Sequence, residues 1–167
     1  MKVTPRRVEE NANGEPSKEV ERKWLVQDPP ALSKYERVKI VQGYLSGTES
    51  GTEVRLRKED KKYFETFKIG TGLERNEMEV ELSKKQFKIL WHATRSRRLA
   101  KTRYKINYKG KKIELDIYHR NLHGLKVAEV EFSSREQAKL FSPPPWFGKE
   151  ITGQRKYKNS TLAAKGK

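Results

Sequence analysis

Apolar residues in this sequence recur at every second position, and the positions between them are almost all ionic. Met78, Val80 and Leu82 alternate with Glu77, Glu79 and Glu81, and Ile113, Leu115 and Ile117 with Glu114 and Asp116. Ala128, Val130 and Phe132 alternate with Glu129 and Glu131. Val54 and Leu56 alternate with Arg55 and Arg57, Phe67 and Ile69 flank Lys68, and Tyr104 and Ile106 alternate with Lys101, Arg103 and Lys105. Val20, Trp24 and Val26 alternate with Glu19, Glu21 and Lys23. Side chains at i and i+2 share one face of a strand, so each segment has one apolar and one charged face. A chain of such segments must bury one side of a β-sheet and find some use for an ionic other side.

Eight segments carry the pattern: about Lys18–Val26, Glu36–Ser46, Thr52–Lys58, Tyr63–Ile69, Glu74–Leu82, Leu99–Tyr108, Lys111–Tyr118 and Leu125–Phe132, punctuated by Gly, Asp and Asn turn signals. Two helices interrupt them. One opens at Ser83 with Gln86 as a capping box, placing Phe87, Leu90, Trp91 and Thr94 on one face. The other opens near Ser134 with Gln137 at the same offset and ends before Pro143-Pro144-Pro145. The fold class is therefore mainly β (α+β). Residues 1–17 lack periodicity and read as a flexible N-terminal arm, followed by one domain over 18–167.

Thirty-eight Lys and Arg against 22 Asp and Glu give a net charge of +16. The arm's charges cancel, so the excess belongs to the folded part. From Ser83 to Lys112 there are 12 basic residues and no acid. With no cysteine, thiolate metal sites, Cys nucleophiles and disulfides are excluded. No apolar run is long enough to cross a bilayer, and the N-terminus shows no signal-peptide core, so the expectation is a cytoplasmic protein without a membrane partner.

On the charged face, acids concentrate on four segments (Glu19/Glu21, Glu77/Glu79, Glu114/Asp116, Glu129/Glu131) and bases on three (Arg55/Arg57, Lys68, Lys101/Arg103). An antiparallel sheet with one solvated side would carry such charges at little cost. Grouped carboxylates on adjacent strands repel, however, unless a cation compensates them. A closed barrel of about eight strands would turn this face inward, where its acids need cations and its bases anions; a metal–polyphosphate complex satisfies both.

The order of these motifs resembles the CYTH domains, the triphosphate tunnel metalloenzymes. Glu19-Val20-Glu21-Arg22-Lys23 is similar to their Glu-x-Glu-x-Lys signature. Gln42-Gly43-Tyr44-Leu45, Arg55-x-Arg57, Thr66-Phe67-Lys68-Ile69-Gly70, Arg75-x-Glu77-x-Glu79, Lys101-Thr102-Arg103-Tyr104, Glu114-x-Asp116 and Glu129-x-Glu131 follow in sequence, and Gly153, Tyr157, Asn159-Ser160 and Leu162-Ala163 close the series. The resemblance implies a closed eight-stranded antiparallel tunnel with helices outside, plugged at one end by the short Asn159–Ala164 helix. It implies a divalent cofactor, Mg²⁺ or Mn²⁺, with a metal role for Glu19, Glu21, Glu77, Glu79, Asp116, Glu129 and Glu131. Lys23, Arg55, Arg57, Lys68, Arg75, Lys101 and Arg103 would bind phosphate, Glu19, Glu21 and Lys101 would be catalytic, and Tyr44 would line the tunnel. Carboxylates suit these hard cations, whereas zinc would favour His or Cys.

Family substrates include inorganic triphosphate, thiamine triphosphate, RNA 5′-triphosphate ends and ATP for cyclisation. The His-Phe pair of cyclase-like members is missing, and the Glu-x-Glu-Arg-Lys start and Lys-Asn-Ser-x-Leu-Ala end look most like small bacterial inorganic triphosphatases. Hydrolysis of inorganic tripolyphosphate to pyrophosphate and phosphate is the expected activity, with another triphosphate substrate, including nucleoside or thiamine triphosphate, or adenylate cyclisation second. A triphosphate-containing small molecule is the expected partner, of a monomer or a homodimer. A different class of function, a non-catalytic RNA or polyphosphate binder, would use the basic Ser83–Lys112 run with Trp91, Tyr104 and Tyr108 interleaved.

Overall fold

The alternating segments pair with their sequence neighbours wherever a short turn allows it. In the computed structural model, which describes residues 20–45, 52–69 and 76–165 (backbone alone at 69, 76 and 77), they form eight of the nine strands. These are β1 (Val20–Val26), β2 (Glu36–Tyr44), β3 (Thr52–Glu59), β4 (Lys62–Ile69), β5 (Asn76–Glu81), β6 (Arg98–Tyr108), β7 (Lys111–Tyr118), β8 (Lys126–Phe132) and β9 (Phe147–Glu150). Their order in the sheet is β5-β4-β3-β2-β6-β7-β8-β1-β9. Every pairing is antiparallel. The expected arm lies outside the described residues.

Two features differ from the closed eight-stranded expectation. First, β9 is an additional strand. Its sequence, Phe-Gly-Lys-Glu, has no two-residue apolar period, and it is short enough to be specified by β1 alone, through Trp24 opposite Glu150 and Val26 opposite Phe147. A Cβ at Gly148 would stand 2.9 Å from the Leu25 carbonyl oxygen, so only glycine permits that approach. Second, among the described residues no ladder joins β5 to the β1–β9 edge, so hydrogen bonding gives an open sheet.

The apolar face packs outward. Trp24, Val26, Ile106, Ile113, Leu115, Ala128, Val130 and Phe132 form a buried layer covered by Ala138 of α2 (Arg135–Leu140) and by Phe141, Trp146 and Phe147. The other wing is covered by α1 (Lys84–Trp91), whose Phe87 ring lies 4.9 Å from Tyr63 of β4. Ser83 and Gln86 form the expected capping box. Among the described residues no helix is long and apolar enough to cross a membrane.

A second cluster seals the opposite face at one end of the strands. Tyr44 of β2, Leu99 of β6, Tyr118 of β7 and Val127 of β8 are buried together with Leu162 and Ala163 of α3 (Asn159–Ala164), and Leu25 of β1 packs against them. Laid flat, β2 and β1 would be about 19 Å apart, four spacings of ~4.8 Å. The Lys23 ammonium of β1 nevertheless acts electrostatically on the Tyr44 hydroxyl of β2, so the strands between them curl around this face.

Candidate functional site

Strand register carries the ionic face continuously through the sheet. Glu77 and Glu79 of β5 stand opposite Lys68 and Thr66 of β4, which stand opposite Glu53 and Arg55 of β3. Arg55 and Arg57 are opposite Tyr44 and Gln42 of β2, and Val38 and Ile40 are opposite Arg103 and Lys101 of β6. Arg103 and Lys105 then meet Asp116 and Glu114 of β7, Glu114 meets Glu129 of β8, and Glu129 and Glu131 meet Lys23 and Glu21 of β1. No strand is out of phase. A slip of one residue in β3 or β7 would send its charges into the outer core, and a slip in β2 would bring Arg37 and Lys39 onto the ionic face in place of Val38 and Ile40.

The side chains gather into two groups. In the first, Lys101 Nζ lies 2.5 Å from Asp116 Oδ2, and both side chains are withdrawn from water, at 2% and 0% exposure. Arg103 donates from Nε to Asp116 Oδ1 at 2.7 Å and from its terminal nitrogens to Asp116 Oδ2, Glu114 and Glu129. Lys23 bridges Glu129 at 2.9 Å and Glu21 at 2.6 Å. In the second group, Arg57 donates to Glu79 Oε2 at 2.7 Å, the Thr66 hydroxyl donates to the same oxygen at 3.0 Å, and Arg55 donates to Thr66 Oγ1 at 3.1 Å.

This is not a solvated sheet face. The side chains of Arg55, Arg57, Glu79 and Glu129 are only 12–14% exposed. Desolvation on that scale is costly unless each charge is matched, and the ionisation equilibria show the matching. Burial alone would push the Glu129 carboxyl up, but Lys23, Arg103 and Lys101 outweigh it and hold it far below the usual carboxylate range. Burial likewise opposes the Lys23 ammonium, yet Glu129 and Glu21 raise it. For Lys101 burial wins over Asp116 and its pKa is lowered; for Arg57 burial and then the adjacent Arg55 lower it. The Arg103 guanidinium is raised by Asp116, Glu129 and Glu114 against burial.

Of the sequence-derived residues, Glu21, Lys23, Lys101, Arg103, Asp116, Glu129 and Glu131 lie on the β1, β8, β7 and β6 part of the face, and Arg55, Arg57, Lys68 and Glu79 on the β3, β4 and β5 part. Glu19 and Arg75 lie outside the described residues, as does the side chain of Glu77. For a divalent cation the donor set is all oxygen, with Glu21 opposite Glu131 and Glu114 opposite Glu129 across their ladders, which suits Mg²⁺ or Mn²⁺. Among the described residues no three ligating side chains converge on one point; Lys23, Lys101 and Arg103 separate the acids instead.

Four residues to which the sequence assigned no ligand role stand on the same face: Glu114, Thr66, Gln42 and Tyr118. Glu114 was signalled by sharing a face with Asp116. Thr66 and Gln42 carry no charge and entered only through the motif series, and Tyr118 entered only as the end of a strand. Gln42 donates to the Tyr44 hydroxyl at 2.7 Å inside the sealed end.

No protein-family model matches the chain. An inorganic triphosphatase of Nitrosomonas europaea is 43% identical over 146 residues, spanning 87% of this chain and 96% of the relative. The chain belongs to the inorganic triphosphatase family. An inorganic triphosphatase of Acetivibrio thermocellus is 32% identical, over 87% of this chain and 92% of the relative. A crystal structure of an inorganic triphosphatase, 40% identical, superposes with a TM-score of 0.70 over 87% of this chain and 94% of that one. A Hippeastrum adenylyl cyclase candidate with dominant triphosphatase activity, 16% identical, shares the fold at a TM-score of 0.55, over 72% of this chain and 82% of that one. The expectation raised by the ordered Glu-x-Glu, Arg-x-Arg and Lys-x-Arg motifs is thereby met at the level of family.

Proposed function

We propose that the chain hydrolyses inorganic triphosphate to pyrophosphate and phosphate on its concave ionic face, with a divalent cation, Mg²⁺ or Mn²⁺. One observation supports this most: a single sheet face holds Arg55, Arg57, Glu79, Lys101, Arg103, Asp116 and Glu129 together, each with a side chain no more than 15% exposed. Arg55, Arg57, Lys68, Lys101 and Arg103 can hold non-bridging phosphate oxygens from several strands at once. Glu21, Glu129 and Glu131, with Glu19 before them, would hold the cation. When bound, that cation supplies Lewis-acid polarisation and a water of lowered pKa. The bases lower the repulsion an attacking water meets at a terminal phosphorus and neutralise charge growing on the departing pyrophosphate. Such preorganised charges in a dry site cost no reorganisation during reaction. In this reading the face closes into a tunnel around the substrate, with β5 brought towards β1 and α3 sealing one end.

Glu21→Gln should abolish phosphate release from tripolyphosphate. The metal-free protein should be as stable as wild type or more so, because Glu21 faces Glu131 across the β1–β8 ladder. Chelation of divalent cations should stop the wild-type reaction. Phosphate release by Glu21→Gln at the wild-type rate, or release that survives chelation, would refute the assignment.

A further inference from the structure

The sealed end of the ionic face contains a link that runs from α3 to the most buried cation of the site. Tyr118, the last residue of β7, is 1% exposed, and its hydroxyl donates to Oδ1 of Asn159, the first residue of α3, at 2.6 Å. Its ring lies against the Lys101 ammonium, with Nζ 5.5 Å from the centroid, and Tyr118 and Lys101 are direct partners in the β6–β7 ladder. The ammonium is thus held from two sides, by the aromatic face and by Asp116 Oδ2. A carboxylate fixes how far Nζ extends; a ring face fixes its lateral position only if the ring is itself fixed. The hydrogen bond to Asn159 does that, and Leu162 and Ala163 anchor α3 in the same buried cluster.

From this geometry we infer that Tyr118 and Asn159 are positioning residues, which hold the Lys101 ammonium on the terminal phosphoryl group and couple its placement to the docking of α3. The inference rests on the triphosphatase reading. Ground-state binding is shared among several bases, whereas Lys101 is buried and tightly aimed, so misplacing it affects the reaction more than binding.

Tyr118→Phe keeps the ring and removes the tie; Asn159→Ala removes it from the other side. Each should lower kcat for tripolyphosphate about fivefold, the scale of one lost hydrogen bond, with KM within about twofold. The double variant should be no worse than either single one. In a Lys101→Ala background neither change should have any further effect, whereas damage to packing alone would lower activity in both backgrounds. A second readout needs no turnover: the Lys101 ammonium protons should give a protected NMR resonance in wild type that is lost or broadened in Tyr118→Phe and Asn159→Ala. A wild type inactive on tripolyphosphate would reject the triphosphatase reading. An active wild type matched by both variants, equal losses with and without Lys101, or an unchanged ammonium resonance would reject the brace.

Discussion

Arg57 shows what the site demands of a single residue. Its guanidinium is desolvated beside Arg55, and Glu79, which it reaches at 2.7 Å, compensates it. In the proposed reading an incoming phosphate takes over that role. Arg57→Ala should lower kcat/KM for tripolyphosphate at least about tenfold, equivalent to ~1.4 kcal/mol of transition-state stabilisation, while Lys149→Ala, exposed on β9, should change nothing. Steady-state kinetics on both variants checks this; equal losses would assign the effect to general surface charge. Glu129 makes a prediction about acid. Its native pKa lies far below its unfolded value of about 4.3, so its contribution is complete above that value and is lost as pH falls towards the native pKa. The melting temperature should therefore fall as pH drops below about 4.5, and Glu129→Gln should show a shallower fall over that window. An identical slope in thermal melts would show that other carboxylates dominate. At this scale the shared face of Lys101 with Arg103, Glu114 with Asp116 and Glu129 with Glu131 was legible from their two-residue spacing. Tyr118 was not, since an aromatic residue at the end of an alternating segment reads as core. It is buried, and its position is also on the ionic side.

At the scale of elements, packing between β2 and the turn after α1 depends on a missing side chain. A Cβ on Gly43 would lie 2.7 Å from both Cβ and Oγ1 of Thr94, which is itself fixed by its hydroxyl donating to the Trp91 carbonyl and accepting from Arg98. Thr94 has little freedom to yield. Gly43→Ala should cost about 2 kcal/mol and lower the melting temperature by roughly 4–8 °C. An unchanged melting curve would mean that the turn moves aside without penalty. All eight alternating segments became strands, because alternation states both the conformation and which side faces the core. Ser83–Gln86 became a full capping box. At Ser134 only half of one formed: its hydroxyl accepts from the Gln137 amide, but the Gln137 side-chain carbonyl accepts from Lys111 Nζ at 2.7 Å. The missed strand, β9, owes its conformation to the β1 edge and to Gly148, neither of which is visible in a four-residue window.

Across the whole molecule, the fold explains why a strongly basic chain shows no continuous basic stripe along its most basic segment. The Ser83–Lys112 run is divided by strand alternation and local contacts. Lys101, Arg103 and Lys105 bond acids along the ionic face. Arg97 and Arg98 donate to the carbonyls of Leu45 and Trp91. The cations of α1 remain outside, on a separate surface. Charges that are adjacent in sequence thus serve different faces, which a count of +16 cannot distinguish. The same partition makes the central claim a matter of substrate length. In the proposed reading, bases on β3, β4 and β6, together with the acids of β1 and β8, engage three consecutive phosphoryl groups; two groups span less of the face. Binding energy from the non-reacting phosphates then positions the one under attack. The most direct test compares kcat/KM for tripolyphosphate, pyrophosphate and ATP at one divalent-metal concentration. The account predicts rapid cleavage of tripolyphosphate to pyrophosphate and phosphate, slower cleavage of ATP with its bulky nucleoside, and pyrophosphate as a poor substrate; pyrophosphate turned over as fast as tripolyphosphate would contradict it.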